Sequence, residues 1–108
     1  MLTRIDASLS DQLARALRPP AVVVGAGLGG LAAAMRLGAK GYRVTVLDRL
    51  DMPGGRASAI TVNGHRFDLG PTIVTVPQVF RELWADCGRD FDADVDLRPL
   101  DPFYEIRF

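Results

Sequence analysis

The sequence predicts an α/β fold built around a strand, a glycine-rich turn, a helix and a second strand. Three observations predict it. An apolar, β-branched run at residues 21–24 leads directly into a glycine cluster at residues 25–30. Apolar residues then recur at helical spacing over residues 28–40, and apolar and polar residues alternate over residues 42–47. Together these segments form one βαβ unit, in which the helix connects two parallel strands.

Composition indicates one small folded domain and excludes several functional classes. The chain has 108 residues, of which 48% are hydrophobic and 24% charged. Thirteen basic residues balance thirteen acidic ones, so we expect no nucleic-acid partner. Because the chain has one cysteine, Cys87, and one histidine, His65, we expect neither an internal disulfide nor a metal site. Signal-peptide and membrane-spanning patterns are absent, which predicts a cytoplasmic chain.

The first segment, residues 1–19, is predicted to be a leader that precedes a domain over residues 20–108. Three leucines four residues apart indicate a short amphipathic helix in the leader: Leu9, Leu13 and Leu17. Two alternatives stay open, a weakly ordered terminus and a helix that lies on a membrane surface.

Beyond the second strand, the sequence predicts a β-hairpin and another helix. Asn63-Gly64 separates two strand-like runs and is a strong signal for a two-residue turn. Pro77 opens a helical segment that Gly88 closes. One face of this helix is expected to pack in the core: Val79, Phe80, Leu83, Trp84 and Cys87. His65, beside the turn, is interpreted as a polar strand residue rather than a catalytic group.

The final segment, residues 95–108, alternates apolar and polar residues and predicts a strand. The alternation continues to the last residue, and a doubly wound nucleotide domain needs at least a third parallel strand. We therefore expect a truncated chain with an incomplete sheet.

The glycine cluster contains the pattern G-x-G-x-x-G at Gly25, Gly27 and Gly30, between a predicted strand and a predicted helix. In a Rossmann-like fold the first glycine permits the tight turn, the second lets the backbone approach a pyrophosphate, and the third lets the helix pack closely on the strand. Asp48 ends the second strand, where a carboxylate accepts hydrogen bonds from a ribose diol and repels a 2′-phosphate. This pattern favours FAD or NAD over NADP.

Residues 48–53, followed by Gly54-Gly55-Arg56, resemble the extended fingerprint of the amine-oxidase-like flavoproteins. Residues 64–72, which read GHRFDLGPT, are similar to the bacterial phytoene desaturases of the carotenoid oxidoreductase family, as are residues 82–92 and 102–104. The resemblance covers roughly residues 20 to 108.

The resemblance implies the N-terminal part of a Rossmann-like FAD-binding domain, with FAD rather than NAD as the redox cofactor. It assigns cofactor binding to seven residues: Gly25, Gly27, Gly30, Asp48, Gly55, Arg56 and Thr72. Many members of the family have glutamate at the position of Asp48, a longer side chain with the same acceptor chemistry.

The resemblance also implies that the parent enzyme desaturates phytoene or a related carotene. It implies oxygen or a quinone as electron acceptor, and peripheral contact with the inner face of the cell membrane. Catalytic residues are unknown, because the family's candidates lie in segments outside this sequence. Two alternatives are another FAD-dependent oxidoreductase of the amine-oxidase type and a non-catalytic nucleotide-binding fragment.

Overall fold

The structure, a computed structural model, describes residues 9–108. A short 3-10 turn at Gly55–Ala57 lies between its second and third strands. The helices and strands follow in the order α1 (Leu9–Ala16), β1 (Pro20–Val24), α2 (Leu28–Ala39), β2 (Arg43–Leu47), β3 (Ala59–Val62), β4 (His65–Asp68), α3 (Pro77–Asp86) and α4 (Phe91–Asp94).

Helix α1 lies within the predicted leader, whose first eight residues are outside the described part of the chain. The boundary after residue 19 stays a prediction. Among residues 9–108, no helix combines the length and the apolar character needed to cross a membrane.

The predicted βαβ unit is confirmed. Strands β1 and β2 pair in parallel, with Val22 opposite Thr45, and α2 connects them. Val23 is half-buried on the helix side of the sheet, whereas Val22 and Val24 on the opposite face are 62% and 84% exposed. The sheet has only these two strands in the described residues, so it is incomplete, as predicted.

Helix α2 ends in a left-handed glycine. Gly41 has φ +91°, and its N–H donates to the carbonyl oxygen of Gly38 at 3.0 Å. The next N–H, of Tyr42, donates to the carbonyl oxygen of Leu37 at 3.1 Å. These two bonds form a Schellman motif, which satisfies carbonyls at the helix end and turns the chain into β2.

The predicted hairpin is also confirmed. Strands β3 and β4 are antiparallel, and Asn63 and Gly64 make the turn with φ angles of 49° and 79°. His65 begins β4 opposite Val62 and is exposed. It is therefore a polar strand residue, as expected.

The end of the hairpin packs against the 3-10 turn. The N–H of Leu69 donates to the carbonyl oxygen of Ser58 at 2.9 Å. A Cβ atom at Gly70 would overlap the carbonyl oxygen of Arg56 and lie 3.3 Å from the Cα of Ala57. Only glycine allows the backbone after β4 to come this close to the turn that follows β2.

Helices α3 and α4 enclose a small aromatic cluster. Phe91 is 4% exposed, and its ring centroid lies 5.9 Å from that of Phe80 and 5.2 Å from that of Trp84. The indole N–H of Trp84 donates to Asp94 at 2.9 Å. Of the face predicted to pack in the core, Leu83 is buried at 7% exposure, and Phe80, Trp84 and Cys87 are half-buried. The prediction was wrong for Val79, which is 49% exposed.

The predicted strand over residues 95–108 is wrong, because the structure has no strand there. A strand needs a hydrogen-bonded neighbour, and in residues 9–108 the ladders join only β1 with β2 and β3 with β4. Pro99 and Pro102 also remove two N–H donors from the segment. Alternation of apolar residues therefore does not suffice to form a strand here.

We predict that replacing Gly41 with alanine destabilises the fold by about 1 kcal/mol, because an L-residue is disfavoured at positive φ. Gly38→Ala is the matched control, since Gly38 is helical and has open space around its Cβ position. That change should stabilise the helix by about 0.5–1 kcal/mol. Urea unfolding measures both free energies, and equal values for the two variants would contradict the assignment.

We predict that Gly70→Ala lowers the free energy of unfolding by about 1–3 kcal/mol, because the new methyl group overlaps the carbonyl oxygen of Arg56. Gly29→Ala serves as control, since Gly29 lies in α2 with no atom within 4 Å of its Cβ position. Like Gly38→Ala, it should leave the fold unstrained and stabilise the helix by up to about 1 kcal/mol. A Gly70→Ala protein as stable as the control in urea would show that this close approach is not needed.

Candidate functional site

The N-terminus of α2 presents N–H groups that have no acceptor within the helix. Gly27 is the N-cap and provides no side-chain hydrogen bond, and the N–H of Leu31 donates to the carbonyl oxygen of Gly27 at 2.9 Å. The N–H groups of residues 28–30 precede that bond and have no acceptor within the helix. No acidic side chain occupies the first turn. The helix dipole and these donors together make a site for an anion such as a phosphate.

Close packing fixes this helix terminus on the sheet. A Cβ atom at Gly30 would overlap the carbonyl oxygen of Gly25 and lie 3.6 Å from Cγ1 of Val23. Gly25 itself has φ +104°, and its N–H donates to the carbonyl oxygen of Leu47 at 2.7 Å. The glycine turn is therefore joined by a backbone hydrogen bond to the end of β2.

A second turn, residues 54–57, lies against the first. The N–H of Gly54 donates to the carbonyl oxygen of Ala26 at 2.7 Å, and Gly27 and Gly54 form an isolated parallel bridge. A Cβ atom at Gly55 would lie 3.1 Å from the Cα of Gly27. A methyl group at Gly55 would therefore push the two turns apart by a few tenths of an ångström.

Between these turns and the end of the hairpin lies an open cleft of about 730 Å³. Its wall includes the start of α2, the second turn and Gly70-Pro71. Arg56 lines the cleft and forms no ion pair with any carboxylate of residues 9–108. An unpaired guanidinium beside a helix N-terminus attracts a doubly charged pyrophosphate.

Asp48 lies on the other side of the glycine turn. It lines a smaller cavity together with Gly25, and its carboxylate accepts the N–H of Ala26 at 2.6 Å and the N–H of Leu50 at 2.8 Å. The hydrogen bond from Ala26, followed by that from Leu50, holds the pKa of Asp48 below its usual value. The carboxylate is therefore ionised at neutral pH and accepts hydrogen bonds, for example from ribose hydroxyls.

Six of the seven residues predicted for the site lie around these two turns: Gly25, Gly27, Gly30, Asp48, Gly55 and Arg56. Thr72 is apart from them. It lines a neighbouring cavity of about 580 Å³ between the segment after the hairpin and residues 96–103. The roles of all seven stay predictions.

Sequence reasoning missed two glycines that shape the cleft. Gly54 donates the hydrogen bond to Ala26, and Gly70 makes the contact with Arg56. Both lie inside motifs that the sequence makes visible but were not among the seven residues predicted for the site, because the need for glycine depends on contacts between separate segments. No cluster of three or more potential metal ligands occurs in the part of the chain that the structure describes.

Comparison with known proteins agrees with this geometry. Residues 23–89 match the family described as NAD(P)-binding Rossmann-like domain. The chain is 76% identical over 88 residues to a neurosporene-forming phytoene desaturase of Cereibacter sphaeroides, and 80% identical over 88 residues to that of Rhodobacter capsulatus. A lycopene-forming phytoene desaturase of Paracoccus sp. is 49% identical over 86 residues.

These alignments cover 80–82% of the chain and confirm the resemblance to bacterial phytoene desaturases. The chain spans about 17% of the length of these relatives. The matched segment contains the glycine turn, Asp48 and the second turn, which are the features of a dinucleotide site. The chain belongs to the NAD(P)-binding Rossmann-like domain family.

Proposed function

We propose that this chain is the dinucleotide-binding part of an FAD-dependent oxidoreductase that desaturates phytoene in carotenoid biosynthesis. The observation that carries the proposal is an identity of 76–80% with two phytoene desaturases over the segment that builds the cleft. The geometry supports the dinucleotide-binding part of the proposal, because the N–H groups at the start of α2 and the free charge of Arg56 suit a pyrophosphate.

Two features favour FAD among the dinucleotides. The ionised Asp48 repels a 2′-phosphate, which argues against NADP. Gly54-Gly55-Arg56, typical of amine-oxidase-like flavoproteins, form the wall opposite the helix terminus. The resemblance assigns these residues to the flavin cofactor.

Each part of the site has a separate task in this proposal. The N–H groups at the start of α2 hold the pyrophosphate, and Arg56 balances its charge. Asp48 accepts a hydrogen bond from the adenosine ribose. When bound, FAD supplies the two-electron acceptor for dehydrogenation of carbon–carbon single bonds. Thr72, one residue beyond the cleft wall, is assigned to the flavin end by the resemblance alone.

The membrane contact and the electron acceptor of the whole protein are also proposals. Phytoene is soluble only in lipid, so we propose that the enzyme contacts the inner face of the cell membrane peripherally. Oxygen or a quinone would then reoxidise the flavin. The relatives differ in their named products, neurosporene and lycopene, and no described residue distinguishes between them.

A second candidate is a chain that binds nucleotide weakly and has no activity by itself. Its support is the exposure of large apolar side chains on both sheets, such as Val24 at 84% and Phe67 at 52%. Gel filtration of the 108-residue chain with FAD tests this candidate. Protein that elutes yellow, with one FAD bound per chain, would contradict this candidate.

The proposed activity is tested with a chimera. The segment of the Rhodobacter capsulatus desaturase that aligns with this chain is exchanged for the 88 matched residues. In cells that accumulate phytoene, we predict FAD-containing protein and a structured visible absorption band from a more conjugated carotene.

Two variants of the chimera give the controls. Gly27→Val directs a side chain into open space at the helix terminus, so it should leave the fold intact but abolish FAD retention and pigment. Gly38→Ala, distant from the cleft, should retain both. Colourless phytoene beside FAD-loaded chimera would show that the segment binds FAD but does not support the desaturase reaction, and a chimera without FAD would contradict the dinucleotide assignment.

A further inference from the structure

Ala26 connects three segments of the chain through its backbone. Its N–H donates to Asp48 at the end of β2, and its carbonyl oxygen accepts the N–H of Gly54 in the second turn. The residue is 7% exposed. Because a buried N–H without an acceptor is costly, the carboxylate of Asp48 fills a structural need of the turn itself.

Each carboxylate oxygen of Asp48 accepts one backbone N–H group. Oδ2 accepts the N–H of Ala26 at 2.6 Å, across 22 positions of sequence, and Oδ1 accepts the N–H of Leu50 at 2.8 Å. The bond from Leu50 fixes the orientation of the Asp48 side chain, and the bond from Ala26 joins that side chain to the glycine turn. Each carboxylate oxygen accepts more than one hydrogen bond, so both keep capacity for a ribose hydroxyl.

We infer that Asp48 is a positioning residue, which fixes the glycine turn and, through Ala26, its contact with the second turn before any dinucleotide binds. The inference rests on the proposed function only in assigning this turn to a dinucleotide. A contact with the ribose alone would require neither hydrogen bond. The carboxylate therefore has a structural role in addition to its predicted role as ribose acceptor.

The informative variant is Asp48→Asn, which keeps the size of the side chain but replaces one acceptor oxygen with an NH₂ donor. One of the two backbone N–H groups then loses its partner. Asp48→Glu retains two acceptor oxygens and tests rescue by a carboxylate. Asp51→Asn is the matched control, because Asp51 is exposed and accepts no hydrogen bond within residues 9–108.

Hydrogen exchange read by mass spectrometry on the chimera, stripped of FAD, tests the inference. In Asp48→Asn we expect the peptide that contains the glycine turn to exchange about tenfold faster, while peptides from α3 stay unchanged. Asp48→Glu should be protected more than Asp48→Asn, and Asp51→Asn should match the parent. FAD binding, measured separately, should weaken in Asp48→Asn.

Two results would overturn the inference. If Asp48→Asn leaves exchange in the turn unchanged while FAD binding weakens, Asp48 acts only through contact with the cofactor. If exchange rises equally in all peptides, its effect is on global stability rather than on the turn. Since the readout uses protein without FAD and without substrate, failure of the phytoene assay would leave this test intact.

Discussion

The cleft exists because three backbone segments approach one another more closely than side chains would permit. The glycine turn packs on β1 through Gly30, the second turn packs on the glycine turn through Gly55, and the end of the hairpin packs on the second turn through Gly70. The first contact is local, whereas the contacts of Gly55 with Gly27 and of Gly70 with Arg56 join separate segments of the chain. A single methyl group at Gly30 or Gly70 would separate them.

This packing separates charges of opposite sign between the cleft and the smaller cavity beside Gly25. Positive potential from the α2 terminus and Arg56 lies on one side of the glycine turn, and the ionised Asp48 lies on the other. In the proposed function, the pyrophosphate binds on the first side and the ribose hydroxyls on the second. An extended dinucleotide therefore has one favourable orientation, set mainly by backbone geometry and two charged side chains.

Local patterns predicted the βαβ unit, the Asn63-Gly64 turn and helix α3, because each depends on a short stretch of residues. Sequence patterns gave wrong predictions where secondary structure or burial depends on contact with a distant segment. Residues 95–108 alternate like a strand but have no neighbour to pair with, and Val79 lies on a helical face that α4 does not cover. The need for glycine at position 70 could not be predicted for the same reason, since the carbonyl oxygen that a Cβ atom there would overlap belongs to Arg56.

A crystal structure of the chimera with bound FAD would show whether this cleft is the dinucleotide site. We predict pyrophosphate oxygens within about 3 Å of the N–H groups that begin α2, and adenosine ribose hydroxyls at the same distance from Asp48. The hydrogen bond from Ala26 to Asp48 should persist beside the ribose. A dinucleotide bound elsewhere, or one whose ribose lies away from Asp48, would contradict the proposed site.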